Sequence, residues 1–502
     1  MESKEIDQVF DLDFLDRISY RLNQIPTSTI GRFYKKYNHK LAIICDEFTF
    51  NAFKDVAQTV VLLHPEHWLS QISEATLLII ASTWNGLNRE WRGLYNENHG
   101  NTKIIRKIIE YCKLSKIPTV FYSKEDPIDY KSFLNIAIQC EYVFTSAAEI
   151  VPLYKKDCKH DQVYSLMFGI NPLYHNPVGS CSKAKLQGVV FSGSWYERFP
   201  ERNNDMRSIF EGVLSSSRGL KIIDRNFEST TSEFKFPNDY SRYISPAIPH
   251  ELLQKVHKLY DWAININTVK YSQTMFANRV FELVAAGSLV LSNFSIGISL
   301  NLPTVYIAQN SEEVTKILDS LTPDEIKERQ AQGIRHVMTG HTCVDRYSQI
   351  LETIGLFAMS QVRNVAVVVK EVNEAVLSKF ERQSYPHKFM LTENQLSARY
   401  GDFDIITFFS ESMEYGEFYL EDMINAFKYT DCDYITKSSY HVCNGLINGR
   451  QHDFVSSMPS KYCVVFWANS FFAQTLLDLP KNSCIQMPNG YSIDYLQFNM
   501  GQ

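Results

Sequence analysis

One short helical segment combines residue types that can hold a phosphorylated sugar. Arg279 and Glu282 are three residues apart and therefore share one face of the predicted helix 276–286. The Glu282 carboxylate could accept two ribose hydroxyls, while Asn278, Arg279 and the helix N-terminus would face a diphosphate. The alternative is a surface ion pair worth well under about 1 kcal/mol. Because the helix is otherwise uncharged, we favour a binding role for Asn278, Arg279 and Glu282.

A loop earlier in the chain has the composition of a phosphate-binding turn. Gly193 and Ser194 follow the predicted strand 187–192, and small residues at such a place let backbone N–H groups approach an anion. Arg198 could then neutralise a diphosphate without a metal ion. Loops of this composition also turn between a strand and a helix without any ligand, so the pattern alone is weak.

Two pairs of carboxylates stand directly after predicted strands. Asp46 and Glu47 follow one strand, and Glu125 and Asp126 follow a later strand before Pro127. Carboxyl ends of parallel strands line the ligand cleft, so one of these groups could orient or deprotonate an acceptor hydroxyl. The alternatives are a helix N-cap for Asp46 and a turn for Asp126 and Pro127.

The residues that carry this chemistry are separated by alternating strands and helices. The predicted strands are 41–45, 60–63, 77–81, 119–122, 142–145, 187–192, 220–224, 262–266 and 289–293, and the helices are 103–115, 206–215, 249–260 and 276–286. Such alternation implies right-handed crossovers and parallel sheets. Because it restarts after a Pro/Gly-rich joint at 168–179, we expect an α/β fold with two doubly wound, Rossmann-like domains facing across a cleft.

The order of these motifs resembles one family. The segments that carry the resemblance are 45–49, 82–91, 117–127, 142–145, 168–172, 191–202 and 278–287. They resemble motifs of the CgeB-like, spore-maturation-protein-like glycosyltransferases over roughly residues 40–355, which implies a GT-B fold and sugar transfer from a nucleotide diphosphate. Ala81 departs from the glutamate of many members. Thr274 stands where the retaining class has a glutamate eight positions before Glu282. Retention is expected by fold analogy alone.

A third unit begins near Asn364. The segments 400–412 and 415–427 are similar to the middle of a GT-A glycosyltransferase. In that fold the position of Ser410-Glu411-Ser412 holds a metal-binding Asp-x-Asp, and one Glu between two serines is a poor replacement. We therefore expect a smaller, degenerate accessory domain for acceptor binding or homo-oligomer assembly rather than a second active site.

Composition and charge narrow the classes of function. The net charge of −6 gives no support for a nucleic-acid partner. The ten cysteines form no C-x-x-C pair, so neither a zinc site nor a redox motif is expected. The chain has no apolar signal core and no apolar run of roughly 20 residues. We expect a reduced, cytoplasmic protein that can contact a membrane-bound acceptor at the inner face.

Together these patterns predict four regions and one activity. The regions are an N-terminal helical segment (residues 1–39), an acceptor-side domain (40–178), a nucleotide-sugar-binding domain (179–360) and the accessory domain (361–502). The expected activity is metal-independent, cofactor-free transfer of a hexose from a UDP-sugar to a cell-surface glycan, teichoic-acid-like polymer or lipid-linked acceptor, as in cell-wall polysaccharide biosynthesis. The main alternative is an inactive nucleotide- or glycan-binding protein of the same fold. An epimerase or phosphorylase is less favoured, because no spare arginine cluster is evident for free phosphate.

Overall fold

Three α/β units follow one another in the computed structural model, which describes residues 9–28, 30–181, 185–481 and 483–501. Residues 1–8 of the predicted N-terminal helical segment lie outside the described residues. Its remainder holds one helix, α1 (Phe14–Asn23), which buries Phe14, Ile18 and Leu22 at helical spacing. None of the helices in the described ranges is both long and apolar enough to cross a membrane.

Six parallel strands form the sheet of the first domain. They are β1 (Tyr37–Ile44), β2 (Ala57–Leu62), β3 (Leu77–Ala81), β4 (Thr119–Ser123), β5 (Tyr142–Thr145) and β6 (Val163–Ser165). Its helices are α2 (Glu47–Phe53), α3 (Trp68–Gln71), α4 (Gly100–Leu114), α5 (Tyr130–Ala137) and α6 (Val151–Cys158). The strand order β2-β1-β3-β4-β5-β6 reverses direction between β1 and β3. Strands β3 and β4 are buried throughout, which explains their continuous apolar sequences.

A second six-stranded parallel sheet forms the next domain. Its strands are β7 (Val189–Gly193), β8 (Leu220–Asp224), β9 (Ile244–Ser245), β10 (Trp262–Asn265), β11 (Leu289–Ser292) and β12 (Tyr306–Ile307). Its helices are α7 (Pro200–Ser215), α8 (His250–Lys258), α9 (Arg279–Ala285), α10 (Ile296–Asn301), α11 (Ser311–Ser320), α12 (Pro323–Gly340) and α13 (Cys343–Thr353). The order β12-β11-β10-β7-β8-β9 reverses between β7 and β10. Ligands of such sheets bind beyond the carboxyl ends of the strands at this reversal.

The predicted α/β class with two facing parallel-sheet domains is confirmed. Strands β3, β5 and β8 begin and end where the sequence predicts, whereas the short edge strands β6, β9 and β12 were not predicted. Helix α13 follows the second domain in sequence but packs against the first. Its Tyr347 ring lies 5.3 Å from Tyr37 and 6.4 Å from Phe53, measured between ring centroids.

The C-terminal unit contains two sheets. Its strands are β13 (Val365–Val369), β14 (Lys388–Thr392), β15 (Ile405–Phe408), β16 (Met413–Tyr415), β17 (Tyr434–Thr436), β18 (Tyr440–Val442), β19 (Gly445–Ile447), β20 (Asp453–Met458), β21 (Val464–Trp467), β22 (Ile485–Ser492) and β23 (Phe498–Met500). Its helices are α14 (Glu374–Glu381), α15 (Glu393–Arg399), α16 (Tyr419–Asn425) and α17 (Ala473–Leu477). The larger, mixed sheet has the order β14-β13-β15-β21-β17-β22-β20, and the smaller has the order β16-β23-β18-β19.

Buried ion pairs and the N-terminal segment join the three units. Arg335 of α12 donates two hydrogen bonds, of 2.6 and 2.7 Å, to the Asp422 carboxylate of α16. The backbone N–H of Asp11 bonds to the Ile244 carbonyl of the second domain. Further along, Arg32 pairs with acidic residues of the third unit. The segment before β1 therefore contacts the second and third units, because its apolar side chains find their burial there.

Candidate functional site

Two adjoining cavities lie between the first and second domains. The larger, of about 400 Å³, is bounded by α2, the 168–175 segment, α8 and α9. The smaller, of about 240 Å³, is bounded by the loop after β4, the loop after β7 and the 266–279 segment. Arg225, Ala277 and Arg279 line both cavities, so the two form one continuous site. The site lies at the carboxyl ends of the strands of the second domain, where the strand order reverses between β7 and β10.

The loop after β7 approaches the smaller cavity closely. A Cβ atom at Gly193 would meet the Phe191 ring at 2.6 Å and the Arg279 Nη1 atom at 3.3 Å, so a larger residue would require the buried Phe191 ring to shift. The next hydroxyl, Ser194 Oγ, is buried and has no partner among the described residues. A buried hydroxyl without a partner costs about 1–3 kcal/mol, which a ligand at this loop could offset. The structure thus brings Gly193 and Ser194 to the site that the sequence predicts for them.

Three guanidinium groups surround this loop. Arg202 donates to the Ser194 carbonyl at 3.2 Å, and Arg225 and Arg279 line both cavities. Burial is the main cause that lowers the pKa of Arg202 to about 10; Tyr196 opposes the shift, and Arg279 and Arg225 contribute to it. Burial likewise lowers the pKa of Arg279. Within the described ranges, no carboxylate lies at ion-pair distance from any of the three. This cluster of guanidinium groups without an ion-pair partner is suited to an anion of more than one negative charge.

Arg198 lies apart from this group. Its guanidinium is exposed and stacks over the Phe199 ring at 4.7 Å, and it lines neither cavity. Helix α7 begins at Pro200, and its first turn directs Arg202 towards the loop instead. The structure therefore brings Arg202 and Arg225, and not Arg198, to the cavities, and the binding of a diphosphate by Arg198 stays a prediction.

Helix α9 presents one polar face to the larger cavity. The Asn278 side-chain N–H donates to Glu282 Oε1 at 2.7 Å, while Asn278 Oδ1 is buried without a partner among the described residues. Glu282 Oε1 also lies 3.8 Å from His175 Nε2. Arg279 and Glu282 form no ion pair with each other, because Glu282 faces Asn278 and His175. The structure therefore brings Asn278, Arg279 and Glu282 to one site.

Two of the four predicted carboxylates, Asp46 and Asp126, accept hydrogen bonds from neighbouring side chains. Asp46 is the N-cap of α2, accepts from the Thr49 backbone and hydroxyl, and pairs with Lys124 at 2.7 Å. Burial tends to raise the pKa of Asp46, but Lys124 and Thr49 outweigh burial and lower it. Asp126 is fully buried and accepts from the Thr145 hydroxyl at 2.5 Å. Burial raises its pKa. Asp126 also lines the smaller cavity, but its side chain is buried and hydrogen-bonded, and its role as a catalytic base stays a prediction.

The other two carboxylates, Glu47 and Glu125, also border the cavities. Glu47 is exposed and lines the larger cavity. Glu125 lines the smaller one and pairs with the buried Lys124 ammonium at 3.0 Å. The Lys124 ammonium therefore forms ion pairs with both Asp46 and Glu125, which restrains the Glu125 carboxylate at the edge of the smaller cavity.

A set of hydrogen bonds crosses the cleft beside the site. The Thr274 hydroxyl donates to the Ser146 carbonyl at 2.7 Å and accepts from the Ala148 N–H at 2.9 Å. Nearby, the Ser272 hydroxyl donates to Glu149 at 2.9 Å. The position at which the resemblance expects a donor-sugar glutamate is thus used to hold the two domains together.

The charged or titratable residues of the site that were not predicted from the sequence include Lys124, His175, Arg202 and Arg225. For two of them, the position in the sequence could have indicated a place in the site. Arg225 directly follows the predicted strand 220–224 and so had to lie at the carboxyl edge of the sheet. Arg202 ended the same motif as Arg198. For Lys124 and His175 the decisive contacts are made with residues distant in sequence, which no local pattern reveals.

The one group of side chains within the described residues that is spaced for a metal ion is His64, Glu66 and His67. These residues lie on the first domain and line neither cavity.

Comparison with known proteins yields one family match and a set of distant structures. Residues 215–352 match the family model described as "Glycosyl transferase-like". No curated protein sequence matches the chain. A glycosyltransferase from Rickettsia africae is 12% identical and covers 64% of this chain and 98% of its own, with a TM-score of 0.40. HepE of Anabaena in complex with UDP is 10% identical and covers 63% and 99%, with a TM-score of 0.40. An α-glucosyltransferase in complex with UDP and DNA is 10% identical and covers 63% and 100%, with a TM-score of 0.42.

Proposed function

We propose that this chain is a nucleotide-sugar-dependent glycosyltransferase of the GT-B type. The observation that carries the proposal is the convergence of Arg202, Arg225 and Arg279, none paired with a carboxylate among the described residues, on the glycine turn at a sheet reversal. The family match over residues 215–352 includes two of these three arginines and supports the same activity.

In this proposal the two cavities divide the donor between them. The smaller cavity takes the diphosphate and the sugar, since Gly193 allows close approach and the three guanidinium groups balance the charge. The larger cavity takes the nucleoside, with Glu282 accepting ribose hydroxyls. Uridine as the base, a hexose as the sugar and independence from metal ions are carried over from the family resemblance.

The acceptor enters from the first domain in this proposal. Glu125 is the carboxylate placed to orient or deprotonate an acceptor hydroxyl, because it borders the same smaller cavity as Gly193 and Arg202. Glu47 is the second candidate, at the larger cavity. A cell-surface glycan, teichoic-acid-like polymer or lipid-linked precursor at the inner face of the membrane is the proposed acceptor class. Retention of configuration is proposed by analogy of fold.

The C-terminal unit is proposed to be a degenerate GT-A-like accessory domain for acceptor binding or self-association. The loop after β15 supports this. Ser410 and Ser412 bond to each other at 3.0 Å, and the Glu411 carboxylate accepts from Asn373 at 2.9 Å. A divalent cation prefers several free carboxylate or carbonyl oxygens, and this loop offers a single carboxylate that already has a partner.

The proposal is tested by incubating the purified protein with a panel of nucleotide sugars, with and without EDTA. Released nucleoside diphosphate is measured, together with the melting temperature. We expect one donor to raise the melting temperature and to be hydrolysed slowly, with equal rates in EDTA. Arg225→Ala should abolish the shift, whereas Arg198→Ala, an exposed arginine outside both cavities, should preserve it. If no nucleotide shifts the melting temperature, the donor site is misassigned.

A second candidate function is a nucleotide- or glycan-binding protein without catalysis. Thr274 favours it, because the donor-sugar glutamate of the retaining class is replaced by a hydroxyl that is bonded across the domains. This candidate predicts that a nucleotide sugar binds and shifts the melting temperature, but that neither hydrolysis nor transfer to any acceptor follows. Turnover in the assay above excludes it.

A further inference from the structure

His175 lies in the segment that connects the two domains, and its ring has no hydrogen-bond partner among the described residues. Both ring nitrogens are buried, and the side chain is only 11% exposed. It lines the larger cavity beside Glu282, whose Oε1 atom is 3.8 Å from Nε2. Buried polar atoms in folded proteins are nearly always hydrogen-bonded, so an imidazole with two free nitrogens at a cavity wall indicates a missing partner.

The side of the larger cavity that holds His175 and Glu282 differs chemically from the part that is lined by Arg225 and Arg279. Asn278 Oδ1 is also buried and unpartnered within the described ranges, so acceptor atoms from Asn278, Glu282 and His175 collect on one side of the larger cavity. Burial lowers the pKa of His175 to about 4, with Glu282 opposing and His250 and Lys258 adding to the lowering. The ring is therefore neutral near pH 7 and offers one N–H donor and one lone pair.

A ligand that contacts both parts of the cavity must be anionic beside the arginines and rich in hydroxyl groups beside His175, Asn278 and Glu282. Arg225 and Arg279, shared by both cavities, hold the anionic end. A ribose attached to a diphosphate has this sequence of groups. Its vicinal hydroxyls can donate to acceptors such as Glu282 and can accept from a ring N–H.

We propose that His175 of the interdomain segment binds the ribose of the nucleotide together with Glu282 and Asn278. This inference rests on the proposed function and extends it to a residue outside the second domain. Because His175 belongs to the connection between the domains, nucleotide binding completes a hydrogen-bond set that involves that connection as well as α9.

The test compares two ligands that share a diphosphate but differ in the ribose. UDP and inorganic pyrophosphate are titrated calorimetrically into wild type, His175→Phe and His175→Asn. We expect the two variants to bind UDP about tenfold more weakly, the loss of one to two hydrogen bonds, and pyrophosphate within about twofold of wild type. His67→Phe, the same substitution at an exposed site, is the matched control and should match wild type for both ligands.

A third ligand distinguishes a direct contact between His175 and the ribose hydroxyls from a purely structural role of His175. With 2′,3′-dideoxyuridine diphosphate, which lacks the ribose hydroxyls, wild type and the His175 variants should have equal affinities. Equal weakening of UDP and pyrophosphate, or no weakening of either, would overturn the ribose contact. If wild type binds UDP no more tightly than pyrophosphate, the site does not recognise a nucleoside. The proposed function then fails, and the role of His175 fails with it.

Discussion

Arg202→Met should change stability and nucleotide affinity in opposite directions. Burial, with Arg279 and Arg225, lowers the pKa of Arg202 to about 10 from an ordinary 12.5. At about 1.4 kcal/mol per pKa unit, the folded protein bears a cost of roughly 3 kcal/mol to keep this charge. Methionine removes the charge and retains most of the apolar stem. It also removes the bond to the Ser194 carbonyl, which is worth about 1.5–3 kcal/mol.

These terms nearly cancel, so the free energy of unfolding of the ligand-free variant should rise by about 0–2 kcal/mol. The affinity for a nucleoside diphosphate should fall about 10–100-fold, because a charge-assisted bond to phosphate is lost. Urea denaturation measures the first quantity and isothermal titration the second. Arg198→Met, on the exposed side of the same loop, is the control and should leave both unchanged. Clear destabilisation of Arg202→Met with unaltered affinity would refute the reasoning.

Three further predictions concern the domain contacts and pH. Thr274→Val removes the hydroxyl that bonds to the Ser146 carbonyl, so the donor KM should rise about fivefold with an unchanged circular dichroism spectrum; an unaltered KM would contradict this. Asp422→Asn leaves the buried Arg335 without its charge partner and should cost about 3–5 kcal/mol in urea denaturation, and a loss below about 1 kcal/mol would show that the pair does not hold the third unit. Burial strongly lowers the pKa of a set of histidines, so the unfolded chain binds more protons than the folded one as pH falls below about 6.5. Unfolding free energy should therefore fall by about 2 kcal/mol or more from pH 7 to pH 5, and a flat profile would refute it. The set comprises His175 and His452, with pKa values of about 4, and His257 and His341, with values of about 3.

Much of the fold could be predicted because the central strands have a local signature. Strand β3 is buried on both faces, so every residue in it is apolar and its bounds can be read from the sequence. The two-residue strands β9 and β12 lie at the edges of the second sheet and lack such a run. Their existence depends on a neighbour already in place, which the sequence does not display.

The candidate site separates into residues that could and could not be predicted. Gly193 is locally determined, since a glycine directly after a buried strand marks a close approach. The choice between Arg198 and Arg202 depended on where α7 begins, because that bound decides which of them faces the loop. The surroundings of Asp126 likewise depend on tertiary packing. Its position after β4 was read correctly, but its burial under Thr145 and Tyr154 came from packing.

For the Arg279–Glu282 helix, the sequence by itself determined that two charges share a short, otherwise apolar helix that ends near Gly287. Only the tertiary structure decided their partners. Glu282 faces Asn278 and His175, and Arg279 joins Arg202 and Arg225, which come from different turns of the chain. The physical reason is that helix periodicity fixes the direction of a side chain within its own element, whereas electrostatic partners are set by how separate elements meet across the cleft.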